Sequence, residues 1–144
     1  MKPAEAKRRL LKVLREEGFV FVLSTVDAEG RPHSRYMGAL TIEKGKTAYM
    51  ATYSEARKLD HIRANSNAQV LGATEHFAEI VAVDGKASIE NSLARKKAFW
   101  KAHPGCETYF SGPDAPEFTL IKVILESGEY SKTDESYAPV EVTF

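Results

Sequence analysis

Apolar residues recur along this chain with two periods. Over residues 3–17, Leu10, Leu11, Val13 and Leu14 stand among lysine, arginine and glutamate, a helical spacing with one apolar stripe, Pro3 in the first turn and Gly18 at the stop. The period then shortens to that of a strand. Residues 19–26 form a β-branched and aromatic run closed by Asp27-Ala28-Glu29-Gly30, and 32–42 continue in the same style. Together they predict a β-hairpin. A turn over 43–46 leads to a third strand at 47–52, which completes a meander and runs into a second helix.

Beyond Asn65-Ser66-Asn67, residues 68–74 and 79–90 read as two further strands, separated by Glu75-His76. Gly85, inside the longer one, predicts a bulge or bend of the kind that lets a sheet curl. Asn91-Ser92 caps a helix carrying Leu93, Phe99 and Trp100, which His103-Pro104-Gly105 stops. An irregular segment at 106–116 follows, in a position that often carries function. A strand at 118–126, a turn at Ser127-Gly128, a short strand at 129–131 and a polar tail complete the chain. Helix, three strands, helix, two strands, helix, two strands, with short links, is a mainly β pattern: an antiparallel β-barrel with flanking helices, as one domain over 1–144.

Composition narrows the partners. The 144 residues suffice for a sizeable core without disulfide or metal support. Twenty basic and twenty acidic residues cancel, so no global field favours nucleic acid or an anionic membrane, and a charged ligand must be met by a local cluster. Cys106 is the one cysteine, which excludes an intramolecular disulfide and suits a reducing compartment. The charged start is unlike a secretory signal, and no apolar run approaches the roughly 20 residues that span a bilayer. A soluble, cytoplasmic protein is expected.

The chemistry gathers at residues 51–65. There Thr52 and Ser54 offer hydroxyls, a helix begins with free N–H groups and the positive end of its dipole, and Arg57 and Lys58 add full charges. A phosphate suits such a place. On spacing alone, a serine cap beside two solvated bases explains the stretch more simply. His33, His61, His76 and His103 are scattered, and Pro104-Gly105 between His103 and Cys106 reads as a helix stop, so no metal site is expected. Ser34, Ser54 and Ser111 lack a nucleophile-elbow context. Asp27, Glu29 and Glu43 fall in turns as solvated charges, and Arg95-Lys96-Lys97 reads as a solvated helix face.

Five segments bear a resemblance: Gly30-Arg31-Pro32-His33-Ser34-Arg35; Ala56-Arg57-Lys58 with Asn65; Val83-Asp84-Gly85-Lys86-Ala87; Tyr109-Phe110-Ser111-Gly112-Pro113-Asp114; and Glu129-Tyr130. In their order and spacing the chain resembles the pyridoxamine 5'-phosphate oxidase-like FMN-binding split barrels, and most closely their general stress protein subgroup. The resemblance implies an antiparallel split barrel, bound FMN, and a homodimer with the flavin in a groove between protomers. It places Arg35 near the phosphate with the backbone of Tyr36 and Met37 along the isoalloxazine ring, and Thr52 at a second backbone contact. Arg57 and Lys58 become the phosphate-binding pair, with Ser54 beside them, which reverses the simpler account of that stretch. Glu79 falls where the phosphate oxidases carry an amide facing the flavin pyrimidine. Trp100, Tyr109 and Phe110 either line the groove, pack across the interface or belong to the core.

The implied activity is that of an oxidoreductase on a small substrate. The phosphate oxidases hold pyridoxamine with an arginine and a histidine in a C-terminal segment, whereas residues 137–144 contain neither; this argues against pyridoxamine phosphate as the substrate. The alternatives are a non-enzymatic flavin-binding or stress-response protein, or a barrel holding deazaflavin or haem.

Overall fold

The computed structural model describes residues 1–134 and 136–144. Helix α1 spans Pro3–Lys12, with proline at the start where a missing N–H costs no bond. It passes into one widened turn, Val13–Glu17, in which Gly18 N–H reaches back to the Val13 carbonyl at 2.7 Å. Gly18 is required there, because a Cβ would lie 2.3 Å from Phe21 Cζ. Then come β1 (Val20–Val26), β2 (Pro32–Met37), β3 (Leu40–Glu43), β4 (Thr47–Tyr53), α2 (Arg57–Ala64), β5 (Asn67–Ala73) and β6 (Glu79–Glu90). Helix α3 (Leu93–Ala102), β7 (Phe118–Lys132) and β8 (Ser136–Thr143) complete the chain. Ser92 caps α3 as the sequence predicts, its Oγ accepting from Arg95 N–H at 3.4 Å.

Among the described residues the eight strands form one sheet in the order β2-β1-β5-β6-β7-β4-β3, with β8 also on β7, and every pairing is antiparallel. Its two ends, β2 and β3, are consecutive in the chain and joined only by Gly38-Ala39. Three virtual bonds hold Met37 and Leu40 within about 11 Å, so the sheet has to curl until its ends approach. No β2–β3 ladder forms among the described residues. The fold is an antiparallel split barrel, mainly β with flanking helices, and its sheet is not closed.

Three sequence-based expectations change. Residues 32–42 are not one strand of a meander: β2 pairs with β1, whereas β3 pairs with β4 at the other end of the sheet. Ser127-Gly128 is no turn, because β7 runs through it opposite Asp84 and Val83. The register with β6 slips at Asp84/Gly85, leaving Glu126 as the extra residue of a bulge, and glycine serves a bulge as well as it serves a turn. The polar tail is a strand: β8 takes the second half of β7, beyond the half that β4 occupies. Position 135 of that tail lies outside the described residues.

Ala6, Leu10, Val13 and Leu14 enter the main core with Leu23, Val70, Val81 and Ile121, while Phe99, Cys106, Phe110, Phe118 and Leu120 form a second core beside α3. Trp100 belongs to that second core, edge-on to Phe118 at 5.6 Å. Helix α1 is fastened by Arg9, whose guanidinium donates to Glu79 Oε1 and Oε2 at 2.7 Å and to Glu17 at 2.9 Å. The Tyr130 hydroxyl donates to the same Glu79 carboxylate; burial, and then that carboxylate, push its pKa up to about 12. Glu43 is no free charge either: it pairs with Arg95, which lies 4.8 Å over the Tyr49 ring.

The bulge supplies a test of the fold. A Cβ at Gly85 would stand 2.4 Å from the Ile124 carbonyl oxygen, so Gly85→Ala should lower stability by about 1–3 kcal/mol, read as a reduced urea midpoint. Gly105→Ala, with open space around it, should stay within about 0.5 kcal/mol of the parent.

Candidate functional site

At the split, two recesses share Lys58. One, of about 540 Å³, is lined by Pro32, His33, Ser34, Arg35, Arg57, Lys58 and His61. The other, of about 590 Å³, is walled by Tyr36, Met37, Tyr53, Phe99, Tyr109 and Phe110, with Thr52 and Lys58 at its border with the first. The chain thus sets a cationic pocket against an aromatic one.

Two of the three cations are held by neutral groups. Inward alternation along β2 brings His33, Arg35 and Met37 to the half-buried side. Arg35 Nη1 donates to the Leu23 carbonyl at 3.1 Å and to Thr25 Oγ1 at 2.9 Å. Lys58 Nζ donates to the buried Thr52 hydroxyl at 2.9 Å. Burial first, and then the nearby Arg57, lower the Arg35 pKa; burial and then Arg35 lower that of Lys58. Among the described residues no carboxylate pairs with Arg35, Arg57 or Lys58. Three like charges without a counter-ion repel one another until an anion arrives, and α2 starts at Arg57 without a side-chain cap.

Of the residues singled out in the sequence, the fold brings Arg35, Tyr36, Met37, Thr52, Arg57 and Lys58 to these recesses, together with Tyr109 and Phe110. Ser54 is not among them, nor does it cap α2, whose first flanking residue is Ala56. Its hydroxyl donates to the Pro116 carbonyl at 2.7 Å and meets Thr119 Oγ1, tying the loop before β7 to the end of β4. Glu79 lines neither recess; Arg9 and Tyr130 occupy its carboxylate.

Sequence reading missed a polar chain behind Arg35. Thr25 Oγ1 lies 3.0 Å from His61 Nδ1, and the His61 ring stacks on that of His33 with centroids 4.3 Å apart. His33 Nε2 reaches Asp27 Oδ2 at 2.8 Å. Asp27 is buried rather than solvated; its Oδ1 accepts the backbone N–H groups of Glu29 and Arg31 at 3.0 and 2.9 Å. The His33 bond and then the Arg31 N–H hold its carboxyl well below the usual range. An aspartate two residues before Glu29 and four before Arg31 is a local turn signature that the sequence displays. The two histidines, far apart in the chain, carry no such signal.

The arrangement suits an amphipathic ligand with a dianion at one end and a planar ring at the other. The family model described as Pyridoxamine 5'-phosphate oxidase matches residues 7–132. Among solved structures, General Stress Protein 26 from Bacillus anthracis str. Sterne is 26% identical, with 96% of this chain and 98% of that one covered and a TM-score of 0.79. A protein from Clostridium acetobutylicum related to general stress protein 26, described as of the pyridoxinephosphate oxidase family, is 18% identical, covers 100% and 97%, and scores 0.78. A NimC/NimA family protein from the same species is 17% identical, covers 97% and 94%, and scores 0.74. These last two show the fold alone. No curated protein matches the chain.

Burial lowers the His61 pKa from 6.5, and His33, Arg35 and Arg57 lower it further against the opposing pull of Asp27. His103 is lowered by burial as well. The unfolded chain therefore takes up protons near pH 6.5 that the native chain refuses, and stability should fall as pH drops from about 7.5 to about 5.5. His61→Gln should flatten that slope without abolishing it, as read from urea midpoints across the range; a slope equal to the parent's would contradict the assignment.

Proposed function

The chain belongs to the pyridoxamine 5'-phosphate oxidase family, and from that premise we propose that it is an FMN-binding flavoprotein, an oxidoreductase acting on a small substrate as a homodimer. The observation that carries this reading is the meeting of three carboxylate-free cations with an aromatic-walled recess. Arg35, Arg57 and Lys58 supply charge-assisted donors for a phosphate dianion. Tyr36, Met37 and the walls beyond them supply the surface for a planar ring.

Bound FMN supplies reversible hydride and electron transfer. The protein's part is to bind, orient and exclude water. Thr52 holds the Lys58 ammonium, and Leu23 and Thr25 hold one nitrogen of Arg35, so donors are set before the ligand arrives. As an edge strand, β2 leaves the backbone groups on its far side without a strand partner among the described residues and available to ring heteroatoms. Glu79 serves as the anchor of α1 within its own protomer. Tyr36 and Tyr109, 79% and 66% exposed, leave an aromatic rim that supports coverage by a second copy.

Carriage or sensing of flavin without turnover is the second reading. It is favoured by Lys58 being, among the described residues, the one lysine or arginine of the aromatic recess, so no separate cluster of described residues there awaits a charged substrate. Reduction by NADH or NADPH and reoxidation by an added acceptor, faster than with free FMN, separates the enzyme from the carrier. The absorbance spectrum separates both from a deazaflavin or haem barrel.

Titration with FMN, followed by fluorescence quenching, should saturate near one per chain. Arg57→Ala with Lys58→Ala should weaken FMN by about 100-fold or more, leaving the circular dichroism spectrum and the affinity for riboflavin near those of the parent. Unchanged FMN affinity would remove the phosphate assignment. Sedimentation should give twice the chain mass.

A further inference from the structure

We propose that His61 is a fourth phosphate-binding residue, an uncharged N–H donor held in one tautomer by the buried Thr25 hydroxyl. This deepens the flavin reading and rests on it only for the identity of the molecule that carries the phosphate.

Proton counting gives the tautomer. Arg35 Nη1 places its two N–H bonds on the Leu23 carbonyl and on Thr25 Oγ1. A guanidinium only donates, so Thr25 accepts there and has one proton left to give. Thr25 is completely buried, and its other partner is His61 Nδ1 at 3.0 Å. That nitrogen therefore offers its lone pair, and the ring proton sits on Nε2. With the proton on Nδ1, two donors would face the Thr25 oxygen, and the hydroxyl proton would be buried without an acceptor.

The ring is also fixed from its face. His33 stacks on it with an interplanar angle of 28°, and His33 is itself tied to Asp27, which the turn backbone holds. Among the described residues His61 Nε2 has no protein partner, yet no fully buried side-chain nitrogen or oxygen is left without one. Nε2 is therefore not fully buried, on a ring that lines the same recess as Arg35, Arg57 and Lys58. The charged and titratable groups around it are Asp27 and His33 from the β1–β2 hairpin, Arg35 from β2 and Arg57 from α2. Asp27 is already occupied by its own donors, so a fourth positive charge here would meet cations without a free counter-ion. A neutral donor adds a hydrogen bond to the dianion without that repulsion. In this arrangement Thr25, His33 and Asp27 are positioning residues.

The test uses the whole chain with nitrogen-15-labelled histidine and inorganic phosphate as the probe. Long-range proton–nitrogen correlation should show His61 neutral near pH 7 with the proton on Nε2, and added phosphate should shift Nε2 saturably. A ring protonated on Nδ1, or no His61 response to phosphate, overturns the proposal, and neither result depends on a variant folding. His61→Phe, which keeps a ring against His33, should lose about tenfold in FMN affinity with riboflavin unaffected. His61→Gln, which retains an N–H donor, should recover part of the loss. If Arg57→Ala with Lys58→Ala weakens FMN and His61→Phe does not, the His61 assignment alone falls. If the double variant binds FMN as the parent does, the Arg57 and Lys58 phosphate assignment falls, and if the parent binds no FMN the flavin reading falls; in either case the phosphate titration still decides His61.

Discussion

A two-residue link sets the shape of this molecule. β2 and β3 are the far ends of the strand order, and only Gly38-Ala39 stands between them in the chain. A flat sheet would hold its ends many strand spacings apart, at roughly 4.8 Å each, which so short a link cannot span. The sheet therefore curls, helped by the bulge where Gly85 lies against Ile124, and the fifteen residues of β7 carry β4 on one half and β8 on the other. The split left between the ends is where the aromatic recess opens, with Met37, Gly38 and Ala39 in its lining.

Charge is handled in two opposite ways. Where α1 meets the sheet, Arg9 is matched by Glu79 and Glu17, and Tyr130 completes the set; the groups satisfy one another and serve the fold. At the split, Arg35 and Lys58 are supported by hydroxyls and a carbonyl that cancel none of their charge. Such a cluster is costly to hold empty and favourable to fill with an anion, which is the electrostatic form of a binding site. The carboxylate behind Arg35, Asp27, is turned towards His33 and its own turn.

Much of the fold was legible because the signals are local. Strand 79–90, the irregularity at Gly85, the Ser92 cap and the stop of the first helical stretch at Gly18 each follow from a few neighbouring residues. The break at 38–39 was not legible, since 32–42 is uniformly strand-like and the switch of partner leaves no composition behind. Ser127-Gly128 was ambiguous, being chemistry that suits a turn and a bulge alike. The alternation Val140-Glu141-Val142-Thr143 was visible, and its burial pattern in β8 shows that a tail of polar composition can still carry a strand period.

For the candidate site, the chain alone offered Arg57 and Lys58 at a helix start after a strand, where spacing by itself favoured solvated bases; family resemblance turned that choice and added Arg35, Tyr36 and Met37. Only the tertiary structure decided that Ser54 and Glu79 are engaged elsewhere, that Asp27 is buried, and that His33 and His61 share a stack behind Arg35. The physical reason is range. Period, capping and turn chemistry act within one or two turns of the backbone, whereas burial, the loss of a counter-ion and the tautomer of a ring depend on which distant segments the curled sheet brings into contact.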